Sequence, residues 1–127
     1  MSLNTRNLES TTLASVHPTA ARTASGAGSA VDLLAFDGDV VMILDSAAGT
    51  GTTPTLDVSF THSDTSGGTY TAISGSSFTQ VTGTASQQRI AIDKDAAKRF
   101  IKANYTISGT TPSFTFSVNA LGERKYK

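Results

Sequence analysis

The chain has 127 residues, ten basic and ten acidic, so its formal net charge at pH 7 is zero. A neutral chain argues against a general nucleic-acid binder, and this length suffices to bury one core without metal or disulfide staples. There is no cysteine, which excludes a disulfide framework and a thiolate metal site. Serine and threonine supply 36 residues and glycine 11, a balance that favours short strands and tight turns over helices.

No stretch approaches the roughly 20 apolar residues that a membrane-spanning helix needs. The sequence also lacks a basic region followed by an apolar one at its start, so it has no visible secretory signal. We therefore expect no membrane partner and no export by that route.

Residues 1–30 form a separate zone, rich in Ser, Thr and Ala, whose apolar residues are too sparse for a helical or strand period. Segments of this kind are usually floppy termini. The alternative is an extended arm that becomes ordered across a neighbouring subunit, with its scattered leucines as anchors. We predict this arm over residues 1–30 and a β-sandwich domain over residues 31–127.

The strands of the predicted domain begin with an apolar run at residues 31–36, closed by Asp37 and Gly38, a two-residue hairpin signal. Residues 40–44 return from it, and their continuous apolar character predicts a central strand covered on both faces. Further strands are predicted at residues 55–62, 69–73, 78–81, 89–92 and 101–107. Between the last two, Asp93 can cap one helical turn at residues 94–98.

The tetrapeptide GTTP occurs at residues 51–54 and again at residues 109–112, an offset of 58. An apolar stretch precedes each copy, and a run with apolar residues at every second position follows it. We interpret this repeat as one unit used twice: a strand, a GTTP turn and a return strand. Two such hairpins facing each other predict an antiparallel β-sandwich of jelly-roll or Ig-like Greek-key type with about eight strands. The residues predicted to face its core are Leu56, Val58, Phe60, Phe114, Phe116 and Val118 after the two copies, and Ile101, Ala103, Tyr105 and Ile107 before the second.

The zero net charge conceals a segregation along the chain. Residues 23–88 contain six aspartates and no Lys or Arg, whereas residues 89–127 contain eight basic and three acidic residues. One interpretation is that folding mixes the two stretches in space and leaves no patch. The other is an acidic end and a basic end, which could meet between identical subunits.

The chain offers little for catalysis or metal binding. His17 and His62 lie far apart in sequence and are predicted to be exposed, and no serine stands in a GxSxG motif. Asp37, Asp39 and Asp45 could bind calcium, but aspartate in a turn or at a strand end is the commoner role of such residues. We predict no enzyme activity, no catalytic residue, no metal site and no cofactor.

Three runs of the sequence resemble small structural proteins of tailed bacteriophages that attach to the capsid. They are VDLLAFDGDVVMILDS at residues 31–46, LDVSFTHSDTSGGTYTAISGSSFTQVTG at residues 56–83 and IAIDKDAAKRFIKANYTISGTTPSFTFSV at residues 90–118. The N-terminal zone has no counterpart in this resemblance. The resemblance implies a decoration or cement protein of the virion, often trimeric, that is made in the host cytoplasm. It would bind the outer capsid surface and bridge neighbouring major capsid subunits.

Two other functions remain open at this point. A phage tail or head-to-tail joining component would use the same kind of rigid subunit. A carbohydrate-binding module is weaker, because such modules usually present aromatic platforms and this chain has no tryptophan and three tyrosines. The expected partners are the major capsid protein and further copies of the chain, with no direct contact to nucleic acid. The candidate contact residues are Leu3, Leu8 and Leu13 in the arm and Arg89, Lys98, Arg99 and Lys102 in the basic stretch.

Overall fold

The computed structural model describes residues 11–93 and 97–124, and eight strands contain most of them. A three-residue 3-10 turn, Leu33–Ala35, is the only helical element in this part of the chain. All strand pairs here are antiparallel, so the prediction of an all-β antiparallel fold is confirmed. The strands are β1 (Thr11–Arg22), β2 (Gly26–Ala27), β3 (Val31–Asp32), β4 (Phe36–Ser46), β5 (Thr50–Ser63), β6 (Thr71–Ser77), β7 (Ser86–Ile92) and β8 (Phe100–Arg124).

Strand β8 is the longest strand of the sheet, with 25 residues. The strand order is β6-β5-β8-β4-β7, and β1, β2 and β3 also pair with β8. We call β2, β3, β5, β6 and residues 100–108 of β8 the amino half-sheet. The carboxyl half-sheet consists of β1, β4, β7 and residues 113–124 of β8.

The sheet curls so that the inner faces of both half-sheets meet on one hydrophobic core. Tyr105 and Phe116 lie on opposite sides of the bend in β8, yet their ring centroids are 5.3 Å apart. Hydrogen bonds connect the described strands into one curled sheet, because β8 continues through both halves. The finer prediction of a sandwich of two separate sheets is not confirmed by this connectivity.

The inward alternation predicted for the strands around the two GTTP copies is confirmed. Because successive side chains of a strand point to opposite faces, every second residue reaches the core. The predicted core residues are all buried: Leu56, Val58, Phe60, Ile101, Ala103, Tyr105, Ile107, Phe114, Phe116 and Val118.

The sequence predicts a hairpin turn at each GTTP copy, and this prediction is wrong. The two copies are kinks within β5 and β8 that pair with each other. Thr52 lies opposite Thr110, and Thr50 and Thr55 lie opposite Ser113 and Ser108. Replacing each residue by its counterpart 58 positions away converts the Thr50–Ser113 pair into the Thr55–Ser108 pair and leaves the Thr52–Thr110 pair unchanged. The two paired copies therefore have a two-fold relation. The register is interrupted at this crossing, where β5 and β8 bend from one half-sheet towards the other.

Both kinks require glycine. Gly51 has φ of +106° and Gly109 of +122°, the left-handed region that side chains disfavour. A Cβ added to Gly51 would stand 2.6 Å from the Thr111 carbonyl oxygen, and one added to Gly109 would stand 2.8 Å from the Thr53 carbonyl oxygen. Each glycine therefore allows the backbone of the other copy to approach closely.

The hairpin predicted at Asp37 and Gly38 is wrong. Strand β4 runs through both residues, and its register with β8 shifts between Asp37 and Val41. Gly38, with φ of +87°, provides the positive φ that a bulge requires as readily as a turn does. β4 lies between β8 and β7, so its central place is confirmed, but Val41 is half-buried and the outer face is not fully covered. The predicted helical turn falls largely on residues 94–96, outside the described residues.

The predicted N-terminal arm is, from Thr11 onwards, a strand of the chain's own sheet. β1 pairs with the carboxyl part of β8, and Val16 is fully buried. This pairing satisfies backbone groups of β8 that an extended arm would leave open. Residues 1–10 lie outside the described residues, and the boundary at residue 30 stays a prediction.

Candidate interaction surface

Four apolar side chains form a row across the outer face of the carboxyl half-sheet. The row follows from register, because residues paired across antiparallel strands share a face. Leu13 of β1 lies opposite Leu121 of β8, which lies opposite Val41 of β4, which in turn lies opposite Ala91 of β7. Leu13 is 64% exposed and Ala91 is also exposed, while Leu121 and Val41 are half-buried. We call these four residues the apolar row.

A depression of about 470 Å³ lies next to the apolar row on the same face. Ile43 is the next outward-facing residue of β4 after Val41. It lies opposite Arg89 of β7 and Asn119 of β8. The next position of β4 on this face is Asp45, whose carboxylate accepts a hydrogen bond of 3.4 Å from the Gln87 amide. We call this the outer depression. Seven residues line it: Ile43, Asp45, Gln87, Gln88, Arg89, Ser117 and Asn119.

The outer face of the amino half-sheet is polar. The Asn104 amide donates to the Thr61 hydroxyl over 2.7 Å, and the Gln80 amide donates to both oxygens of Asp57, at 3.0 and 3.2 Å. These contacts pair polar groups of the face with one another. The two half-sheets thus share one core but present different outer chemistry.

Charged residues gather at the end of the amino half-sheet where β8 begins. The Arg99 guanidinium donates from Nε to one Asp32 oxygen over 3.0 Å and from Nη2 to the other over 2.8 Å. This hydrogen bonding raises the pKa of Arg99 above its ordinary value. The guanidinium also lies 4.9 Å from the centre of the Phe100 ring. This bidentate geometry orders an exposed arginine.

Two lysines accompany Arg99 in this group, which we call the charged end. Lys98 Nζ is 3.9 Å from an Asp64 oxygen, and its backbone N–H donates to Nδ1 of His62 over 3.2 Å. Lys102 Nζ lies 4.4 Å from the centre of the Tyr70 ring. Asp32 and Asp64 belong to the acidic stretch of the sequence, so folding mixes the two charge stretches here.

His17 was predicted to be exposed, and this prediction is wrong. Its side chain is 1% exposed, and its ring stacks on Phe116 at a centroid distance of 4.3 Å. Arg22 Nε donates to its Nε2 over 3.2 Å. Burial lowers the pKa of His17, and the nearby Arg22 charge lowers it further. A register shift between Ser15 and His17 turns two successive side chains inward, which simple alternation could not predict.

The predicted contact residues separate into two places. Leu13 belongs to the apolar row and Arg89 lines the outer depression, whereas Lys98, Arg99 and Lys102 lie at the charged end. Leu3 and Leu8 lie outside the described residues. Sequence reasoning missed Val41, Ile43 and Leu121. The continuous apolar run at residues 40–44 is the signal for the first two, but such a run predicts a strand covered on both faces rather than an outer contact surface.

No metal-binding cluster is present within residues 11–93 and 97–124, where no three His, Asp or Glu side chains converge. The same residues contain no helix long and apolar enough to cross a membrane.

No protein-family model and no curated protein matches the chain. Among solved structures, the chain is similar to the crystal structure of the SPBc2 prophage-derived protein YomS, with a TM-score of 0.47 and 14% sequence identity. The similarity covers 88% of this chain and 93% of that one.

Proposed function

We propose that this chain is a non-enzymatic virion structural protein of a bacteriophage. It binds the outer surface of the capsid and stabilises it by bridging major capsid subunits, as a decoration or cement protein. Its partners are the major capsid protein and copies of itself. The sheet acts as a rigid sandwich-like body, and its place of action is the surface of the virion.

The observation that supports this proposal best is that one strand joins two different surfaces. β8 begins at the charged end and continues into the carboxyl half-sheet, where Leu121 belongs to the apolar row. A bridging protein needs two contact surfaces held at a fixed distance. The paired GTTP kinks and the shared core hold the two surfaces in one rigid body, so that little ordering entropy is lost on binding.

The two surfaces suit different kinds of contact. Exposed apolar side chains that lie together on a soluble protein typically mark protein contacts. Exposed charges at a rim affect the rate of encounter and its salt dependence more than the final affinity. We assign capsid attachment to the charged end, where the exposed Lys98 precedes β8 and the half-buried Lys102 lies within it.

The test is to image purified phage particles from a strain whose genome encodes this chain. We expect mass spectrometry to find the chain in the particles and electron cryomicroscopy to place it outside the shell at junctions between major capsid subunits. Density for the chain in the tail or at the head-to-tail junction would support the joining role instead. Particles that lack the chain would contradict both roles.

A further inference from the structure

We propose that the outer face of the carboxyl half-sheet is a two-fold interface that binds a second copy of this chain. The face consists of the apolar row and the outer depression. This inference rests on the part of the proposed function that names further copies of the chain as partners. It is separable from capsid attachment, because self-association can be measured with the purified chain alone.

The apolar row is a specific property of this half-sheet. Both half-sheets have inward apolar side chains that the shared core explains, but the core does not explain Leu13, Val41 and Leu121 on the outer face. The corresponding face of the amino half-sheet presents Asp57, Thr61 and other hydrogen-bonding side chains. An apolar row across four strands exposes surface whose burial would be favourable.

The charges on this face favour a second copy as the occupant. Asp45 and Arg89 both line the outer depression, and both are exposed. Arg89 forms no ion pair with another residue in the described part of the chain. A depression lined by one acidic and one basic group is complementary to itself under a two-fold rotation, which brings each group to the opposite group of the other copy.

The register fixes where such an axis passes. Ile43 is two residues from Asp45 on β4 and lies directly opposite Arg89 on β7. An axis that exchanges Asp45 and Arg89 between copies therefore passes close to Ile43. This places Ile43 against its own counterpart, with an ion pair on each side. The apolar row then lies beside this centre, and Leu13 loses exposure on association.

The first experiment is sedimentation equilibrium of the full chain over a concentration series. We expect a dimer for the parent chain and a monomer for Ile43→Lys, because the substitution places two like charges beside the axis. Thr61→Lys is the matched control, since it adds the same charge to the outer face of the amino half-sheet, and it should remain dimeric. The mass also separates this dimer from the trimer that the sequence resemblance implies.

The second experiment uses exposed positions, so that folding is not at risk. Asp45→Arg leaves two positive groups on the face, and Arg89→Asp leaves two negative groups, so each variant alone should be monomeric. Mixed in equal amounts, the two variants should form a heterodimer, because each opposite charge then lies across the interface. An Asp45–Arg89 attraction within one chain could not restore association between two different variants.

Circular dichroism of each variant verifies that the sheet is intact. A parent chain that stays monomeric up to roughly 100 μM, which corresponds to less than about 5.5 kcal/mol of association free energy, would overturn the proposal. A dimer that Ile43→Lys leaves unchanged, or a variant mixture that stays monomeric, would also overturn it. None of these results bears on whether the charged end binds capsids.

Discussion

The two half-sheets have alike inner faces and unlike outer faces. The repeat places Leu56, Val58 and Phe60 of one half and Phe114, Phe116 and Val118 of the other on the same core. It also supplies each of the crossing strands, β5 and β8, with one glycine. On the outside, one half is polar and the other has the apolar row. The repeat therefore builds the framework, and residues outside the two copies, such as Leu13 and Leu121, create the apolar outer surface.

The shared core provides the largest expected effect. Phe116 is buried and stacks on His17, so Phe116→Ala should lower the free energy of unfolding by about 3–5 kcal/mol through the cavity that it leaves. Its neighbour Ser117 is half-buried on the outer face, and Ser117→Ala should change that free energy by less than about 0.5 kcal/mol. Urea unfolding measures both. Similar small effects at the two positions would contradict the assignment of inner and outer faces.

The equivalence of the two kinks can be tested by substituting each glycine. Gly51→Ala and Gly109→Ala should each destabilise the chain by about 1–3 kcal/mol, because alanine disfavours the positive φ and its Cβ meets a backbone oxygen of the other copy. Gly67→Ala is the control, since a Cβ there has no atom within 4 Å. Thermal unfolding with a clear effect at one kink and none at the other would break the two-fold relation.

His17 lies in the carboxyl half-sheet and should make the stability of the fold depend on pH. Its pKa is lowered in the fold, so the unfolded chain binds the proton first, below the ordinary value of about 6.5. Stability contributed by neutral His17 is therefore present above that pH and is lost as the pH falls towards the folded pKa, at no more than about 1.4 kcal/mol per pH unit. The free energy of unfolding, measured with a chemical denaturant at pH 7.5 and 5.5, should fall less between these two pH values for His17→Phe than for the parent. Equal losses would mean that His17 does not control this response.

The smallest effect concerns the charged end of the amino half-sheet. Lys98→Glu combined with Lys102→Glu should slow capsid binding at low salt, and the difference from the parent should shrink as salt rises, because the Debye length falls to about 10 Å at 0.1 M. Binding rates across a salt series measure this effect. Salt curves that coincide for variant and parent would place capsid attachment elsewhere on the molecule. Arg89→Asp, on the carboxyl half-sheet, serves as the control in a dilute monomeric preparation.

Sequence-based prediction succeeded where buried and exposed residues alternate along a strand. Phe114, Phe116 and Val118 could be placed in the core from their alternation alone, and the all-β class followed from such runs. It failed at Gly38 and at the GTTP copies, since glycine with positive φ serves turns and bulges alike. It also failed at His17, which was predicted to lie in an N-terminal arm and is instead buried in β1 of the chain's own sheet.

The sequence by itself determined the all-β class, the inward residues around the two GTTP copies and the 58-residue repeat, because these depend on local periodicity and backbone preference. Only the tertiary structure decided that the two GTTP copies pair with each other, since Thr52 and Thr110 become neighbours through long-range register. Register also decided that Leu13, Leu121, Val41 and Ala91 form one row. Pairing between distant strands selects which residues share a face, and no local pattern specifies that choice.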